Sequence, residues 1–146
     1  MIFLQEPEGF DPYIDVAGCF IEHEGKIVLL HRDAHRPQGN TWGAPGGKIA
    51  KKEDVRMGLQ REVQEETGYL INLDEVNHVN TFYVKYPELN FIYHLFHYRT
   101  TQRPEIILNS KEHTDFLWVT PGVALTMTLI PDEDFCIKYF YKDSVQ

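Results

Sequence analysis

Apolar residues in this chain fall into short β-branched and aromatic runs on either side of one amphipathic stretch, and that contrast lays out the elements. Tyr13 to Ile21, Tyr-Ile-Asp-Val-Ala-Gly-Cys-Phe-Ile, is separated by Glu24-Gly25 from Lys-Ile-Val-Leu-Leu-His-Arg. The pattern predicts two strands joined by a tight turn. Ile27 to Leu30 is continuously apolar, as expected of a strand covered on both faces. Residues 1–12, with Pro7, Gly9 and Pro12, predict an irregular lead-in, and Asp33 to Trp42, with Pro37, Gly39 and Asn40, a loop. Farther on, Tyr69 to Leu73 predicts a short strand, and Val76–Tyr86 and Asn90–Thr100 two longer ones around Pro87-Glu88-Leu89. Residues 112–119 read as a polar loop running into a strand, and Asp132 to Tyr141 as a helix. Strands before and after one central helix, with another helix near the C-terminus, predict an α/β domain whose mixed sheet is covered on both sides.

The amphipathic stretch is the central helix, expected over Asp54 to Thr67 and stopped by Gly68, a natural left-handed terminator. At roughly 100° per residue, Glu62 and Glu66 fall on the side of Val55, Gly58 and Leu59, with Glu65 at its border. Arg56, Gln60, Gln64 and Thr67 occupy the opposite side. Acidic residues usually face water, but here other polar residues claim that face. Carboxylates three and four apart repel one another, and the C-terminal end of a helix disfavours negative charge. Arg61 can pair with Glu65, but one guanidinium does not neutralise three anions in a partly desolvated cleft. A hard divalent cation would, and oxygen-only ligation suits magnesium or manganese.

The length of 146 residues predicts one domain, residues 1–146, and an apolar content of 42% suffices for a single core. The net charge of −8 argues against a nucleic-acid polymer as partner, because no basic stripe exists to meet a phosphate backbone. No segment has the length of a membrane span or the pattern of a signal peptide, so no membrane partner and a cytoplasmic location are expected. In that compartment Cys19 and Cys136 are expected as buried thiols. Dense aromatics between Phe82 and Tyr98 point to sheet packing more than to base stacking. His94 and His97, three apart in a strand, should face opposite ways and form no metal pair.

Gly47, Glu53, Arg61-Glu62-Val63, Gln64, Glu65-Glu66 and Thr67-Gly68, at this spacing, resemble the signature box of the Nudix hydrolases. Only the last position departs, with Tyr69 where an aliphatic residue is usual. Trp42-Gly43-Ala44-Pro45-Gly46-Gly47 is similar to the family's approach to the box, and Leu29-Leu30-His31-Arg32 to its preceding strand. The resemblance implies an α/β/α sandwich and magnesium- or manganese-dependent cleavage of a diphosphate linkage in a nucleoside diphosphate derivative. It implies metal binding by Glu62, Glu65, Glu66 and the Gly46 carbonyl, with Arg61 and Glu53 as the pair that holds the box together.

For the catalytic base the resemblance leaves Glu62 or a loop carboxylate, Glu112 with Asp115 as its competitor. Arg32, Arg36, Trp42 and Lys48 are the candidates for substrate contact, with charge balance an equal explanation for the two arginines. Nucleoside or deoxynucleoside triphosphates lead as substrates. Dinucleoside polyphosphates and nucleotide sugars follow, the former on the strength of Tyr86, and a non-catalytic nucleotide-binding regulator is the rival of another class. Oligomeric state is left open, a homodimer among the alternatives.

Overall fold

A computed structural model describes residues 1–144. In chain order the elements are β1 (Ile2–Phe3), β2 (Ile14–His23), β3 (Lys26–Arg32), β4 (Trp42–Gly43), β5 (Gly46–Ile49), α1 (Val55–Thr67), β6 (Asn77–Lys85), β7 (Asn90–Arg99), β8 (His113–Val119), α2 (Pro121–Ala124) and α3 (Glu133–Tyr141). All strands join one mixed sheet running β1-β6-β7-β2-β3-β4, with β5 on β2 and β8 on β3. The expected hairpin of β2 and β3 pairs only at Glu22–Ile27 and His23–Lys26. Beyond those pairs the two strands diverge. β5 then takes up the pairing of Asp15–Gly18 of β2, and β4 that of Leu30 and His31 of β3.

The sheet separates two apolar layers, because alternate side chains of a strand face opposite ways. Ala17, Cys19 and Ile21 of β2 and Val28 and Leu30 of β3 pack with Leu59 and Val63 of α1. Phe20, Ile27 and Leu29 pack on the other face with Ile137 and Tyr141 of α3. Helix, sheet and helix thus form the expected α/β/α sandwich. Each fully buried side chain of this size contributes about 1.5–3 kcal/mol. Cys19 and Cys136 are buried free thiols in different layers. His97 faces the rings of Phe140 and Tyr141, whereas His94 reaches Asp15, so the two histidines diverge as expected. Among the described residues no helix is long and apolar enough to cross a membrane.

Asp54 caps α1 by accepting from the N–H groups of Arg56 and Met57 at 3.0 and 3.1 Å, and Gly68 ends it at φ 72°. Its buried face includes Gly58, where a Cβ would stand 2.7 Å from Ile49 Cδ1. Glycine therefore lets the helix lie directly on β5.

Three expectations need correction. Tyr69–Leu73 is a returning loop and not a strand. Its carbonyls and the next ones accept from α1: Gln60 Nε2 donates to Ile71 O at 2.9 Å, and Arg56 Nη2 to Leu73 O and Val76 O at 2.9 and 2.7 Å. The polar side of α1 is thus partly covered by protein, and Thr67 is buried, its hydroxyl donating to Val63 O at 2.7 Å. The lead-in carries β1, paired to β6. The segment before α1, for which the sequence pattern predicts no element, carries β5, a strand made by pairing and not by propensity.

α3 is anchored at both ends. Near its C-terminus, Glu22 Oε1 accepts from Tyr141 at 2.6 Å and meets His97 Nε2 at 2.9 Å. In its first turn, buried Glu133 accepts from the Ala44 N–H at 2.6 Å. Burial pushes the Glu133 carboxyl up to about 7, against the Ala44 bond, which acts the other way. A carboxyl raised in this way favours the folded state fully below its ordinary value of 4.5, and the benefit is lost as pH rises to about 7. Glu133→Gln keeps an acceptor for Ala44 and removes the ionisation. Its stability relative to wild type should therefore rise with pH, by up to about 3 kcal/mol between pH 5 and 8. Thermal unfolding of both proteins at those two pH values checks this, and a pH-independent gap would refute it.

Candidate active site

The cleft forms where β2 and β3 separate and β5 enters with the last turns of α1 above it. Gly46 pairs with Gly18, and a Cβ on Gly46 would overlap the Ala17 carbonyl oxygen. A Cβ on Gly47 would overlap the Glu62 carboxylate. Two glycines thus bring the backbone against the helix carboxylates, and the Gly46 N–H donates to Glu66 Oε1 at 2.7 Å.

Arg61 ties the acids together. It donates to both oxygens of Glu53, through Nε at 2.8 Å and Nη2 at 3.0 Å, to Glu62 Oε1 at 3.0 Å and to Glu65 Oε1 at 3.2 Å. It also reaches the Lys48 carbonyl at 3.1 Å, locking helix to strand. The Arg61 bonds, with a smaller one from the Ala50 N–H, hold the Glu53 carboxyl down to about 2.

Glu112 lies 46 residues after Glu66 in sequence, and backbone bonding brings the two together. The C-terminal carbonyls of a helix lack intrahelical partners. Here Ile107 N–H donates to Thr67 O at 2.7 Å and Asn109 N–H to Glu66 O at 3.3 Å. Asn109 O then accepts from the N–H groups of Glu112 and His113, both at 3.1 Å. Donor atoms of Glu66, Glu112 and His113 consequently lie within 4.8 Å of one another.

These groups are electrostatically tense. Burial raises the Glu66 carboxyl to about 8; the Gly46 N–H opposes the rise, and the charges of Glu62 and Glu112 add to it. Burial also raises Glu62, against its bond from Arg61. His113 is pushed down to about 4, mainly by burial and then by the charge of Arg32. Its buried Nδ1 has no hydrogen-bond partner and stands 3.8 Å from Glu66 Oε2. A buried carboxylate oxygen and an orphaned ring nitrogen, both facing Glu112, are a donor set that a divalent cation fits.

Of the residues singled out in the sequence, Glu66 and Glu112 belong to this cluster, while Glu62 and the more exposed Glu65 lie outside it, held on Arg61. Arg36 pairs with Glu112 at 3.2 Å. Arg32 lines a cavity of about 150 Å³ with Gly18, Gly46, Glu66, Tyr93 and His113, and its Nε donates to Pro37 O at 2.9 Å. Lys48 has an exposed side chain and contributes its carbonyl to Arg61. Trp42 packs against the α3 layer and the His31 ring, with centroids 4.8 Å apart. Asp115 lies on β8 opposite His31, its carboxylate accepting from the Phe116 N–H at 2.8 Å. His113 was not legible as a site residue; its adjacency to Glu112 was the one signal. Tyr86 donates to Asp132 at 2.7 Å, which bridges the end of β6 to the start of α3.

A carboxylate-lined cleft over a glycine strand, flanked by arginines, is built to receive a phosphorylated anion together with its cation. The NUDIX domain family model matches residues 12–142. The chain belongs to this family and is a Nudix hydrolase, an enzyme that cleaves pyrophosphate bonds. It is similar to a CTP pyrophosphohydrolase of Escherichia coli, at 31% identity over 81% of this chain and 84% of that protein. It is also similar to an 8-oxo-dGTP diphosphatase of Proteus vulgaris, at 32% over 42% of this chain and 59% of that one. Among solved structures, a MutT protein from Methanosarcina mazei superposes with a TM-score of 0.73 at 28% identity, covering 91% of this chain and 96% of that one.

Proposed function

We propose that this hydrolase converts nucleoside or deoxynucleoside triphosphates to the monophosphate and pyrophosphate, with magnesium or manganese, by water attack on phosphorus. The observation that carries the reading is the convergence of Glu66, Glu112 and His113 over the glycine strand, beside Glu62 and Arg61. Similarity to a CTP pyrophosphohydrolase over most of both chains supports a triphosphate. So does the commitment of Tyr86 to Asp132, which weakens the case for a dinucleoside polyphosphate. With every box glutamate present, a silent nucleotide-binding regulator is disfavoured. The same reading takes residues 1–146 as one domain acting in the cytoplasm, in keeping with two unbridged cysteines.

Glu62, Glu65, Glu66 and the Gly46 carbonyl would hold the cation. When bound, it neutralises the polyphosphate and lowers the pKa of a water. Glu112 accepts the proton of the attacking water, since it belongs to the cluster but stands outside the Arg61 web. Arg36, paired with Glu112, and Arg32, in the cavity wall, offer guanidinium donors to the phosphates. Asp115, bonded to its neighbour's N–H on β8, takes no part.

Rates on a panel of nucleoside triphosphates, ADP-ribose, a nucleotide sugar and a dinucleoside tetraphosphate test the substrate class. The expected outcome is a kcat/KM at least about tenfold higher on a triphosphate, equivalent to about 1.4 kcal/mol of transition-state discrimination. Preference for any other member would displace the reading.

A further inference from the structure

We infer that Nδ1 of His113 is a direct ligand of the catalytic cation, beside Glu66, so that the metal centre is a mixed nitrogen and oxygen site. This deepens the reading above and rests on its metal dependence. His113 is 5% exposed, and its buried Nδ1 finds no hydrogen-bond partner among the described residues. Buried polar atoms are seldom left so, and an orphan of this kind asks for a missing partner. Glu66 Oε2 stands 3.8 Å away, beyond hydrogen-bond distance.

That separation suits a shared ion. Two ligand atoms each about 2.1 Å from one octahedral cation lie roughly 3 Å apart when adjacent and 4.2 Å when opposite. The observed distance falls between these limits, so both could bind with little side-chain movement. Glu112 completes the group within 4.8 Å. The backbone also holds the imidazole in place, through the His113 N–H on Asn109 O and the Asn109 N–H on Glu66 O.

An imidazole ligand shifts a site away from magnesium and toward first-row transition ions. Losing it should weaken Mn²⁺ binding about tenfold or more and Mg²⁺ binding less, so the ratio of the two affinities falls.

The test is pulsed EPR of the full chain loaded with Mn²⁺ alone, for wild type, His113→Ala and His113→Asn, with thermal unfolding run on each. Asn retains a polar side chain and guards against collapse of the buried pocket. The expected result is ¹⁴N coupling from a coordinated imidazole in wild type and its loss in both folded variants. No ¹⁴N coupling in wild type, or coupling that survives in the variants, overturns the inference. Turnover of triphosphates without nitrogen coupling would sink this ligand and leave the substrate reading intact. Coupling without turnover would do the reverse.

Discussion

Glu66→Gln lowers kcat by on the order of 10³-fold while the protein stays folded. The substitution keeps the shape and the acceptor for the Gly46 N–H, which now holds Oε1 at 2.7 Å. It removes the negative charge that makes Glu66 a strong cation ligand. Charge stabilisation by a metal is worth several kcal/mol in a displacement at phosphorus, and each 1.36 kcal/mol is tenfold in rate. Without cation the variant should be about as stable as wild type near neutral pH, where a Glu66 carboxyl raised to about 8 still holds its proton, and more stable above that pH, where wild type must ionise a buried group crowded by Glu62 and Glu112. Glu112→Gln gives the informative contrast. If Glu112 takes the water's proton, its loss costs about 10²–10⁴ in rate with metal binding largely retained. Titration calorimetry with Mn²⁺ beside steady-state kinetics separates the two variants. A Glu66→Gln protein that unfolds but keeps its specific activity per folded molecule would reverse the assignment.

Adjacent glycines should fail in different ways. In Gly46→Ala the new methyl meets backbone, the Ala17 carbonyl and Gly18 Cα. Backbone has nowhere to go without pulling β5 off β2, so a loss of about 3 kcal/mol and of all activity is expected. In Gly47→Ala the methyl meets the Glu62 carboxylate, the end of a flexible side chain that can swing aside. That variant should fold with a stability loss below about 1 kcal/mol, yet lose on the order of 10²-fold in kcat, because Glu62 leaves its place beside Arg61. Chemical denaturation and kinetics on the pair would show the split. Equal destabilisation of both would mean that the Glu62 carboxylate is not free to yield.

Where local signals were strong, the sequence was readable. Asp54 and Gly68 are cap residues, and Leu59, Val63 and Glu66 share a face at helical spacing, so α1 and its acids could be placed directly. The hairpin of β2 and β3 was equally plain in its apolar runs and Glu24-Gly25 turn. β5 was not, since Gly46-Gly47-Lys48-Ile49 has little strand propensity and is extended only because β2 pairs with it. Tyr69–Leu73 looked like a strand from its composition, but its Ile71 and Leu73 carbonyls accept from Gln60 and Arg56 of α1. Trp42 and Lys48 neighbour the box in sequence, but the side chain of one packs into the α3 layer and that of the other is exposed. His113 carried no periodic signal, because its position depends on residues 107–109 docking on the end of α1, a contact no local pattern encodes.

The most direct measurement is product analysis, in ¹⁸O-labelled water with magnesium, of the turnover of whichever nucleoside triphosphate reacts fastest, for wild type and Glu66→Gln side by side. The expected result is the nucleoside monophosphate and pyrophosphate in equal amounts, one ¹⁸O in one of the two products, no reaction without a divalent cation, and a rate about 10³-fold lower in the variant. Folded, cation-loaded wild type that releases neither product from any nucleoside triphosphate, or a variant as fast as wild type, would contradict it.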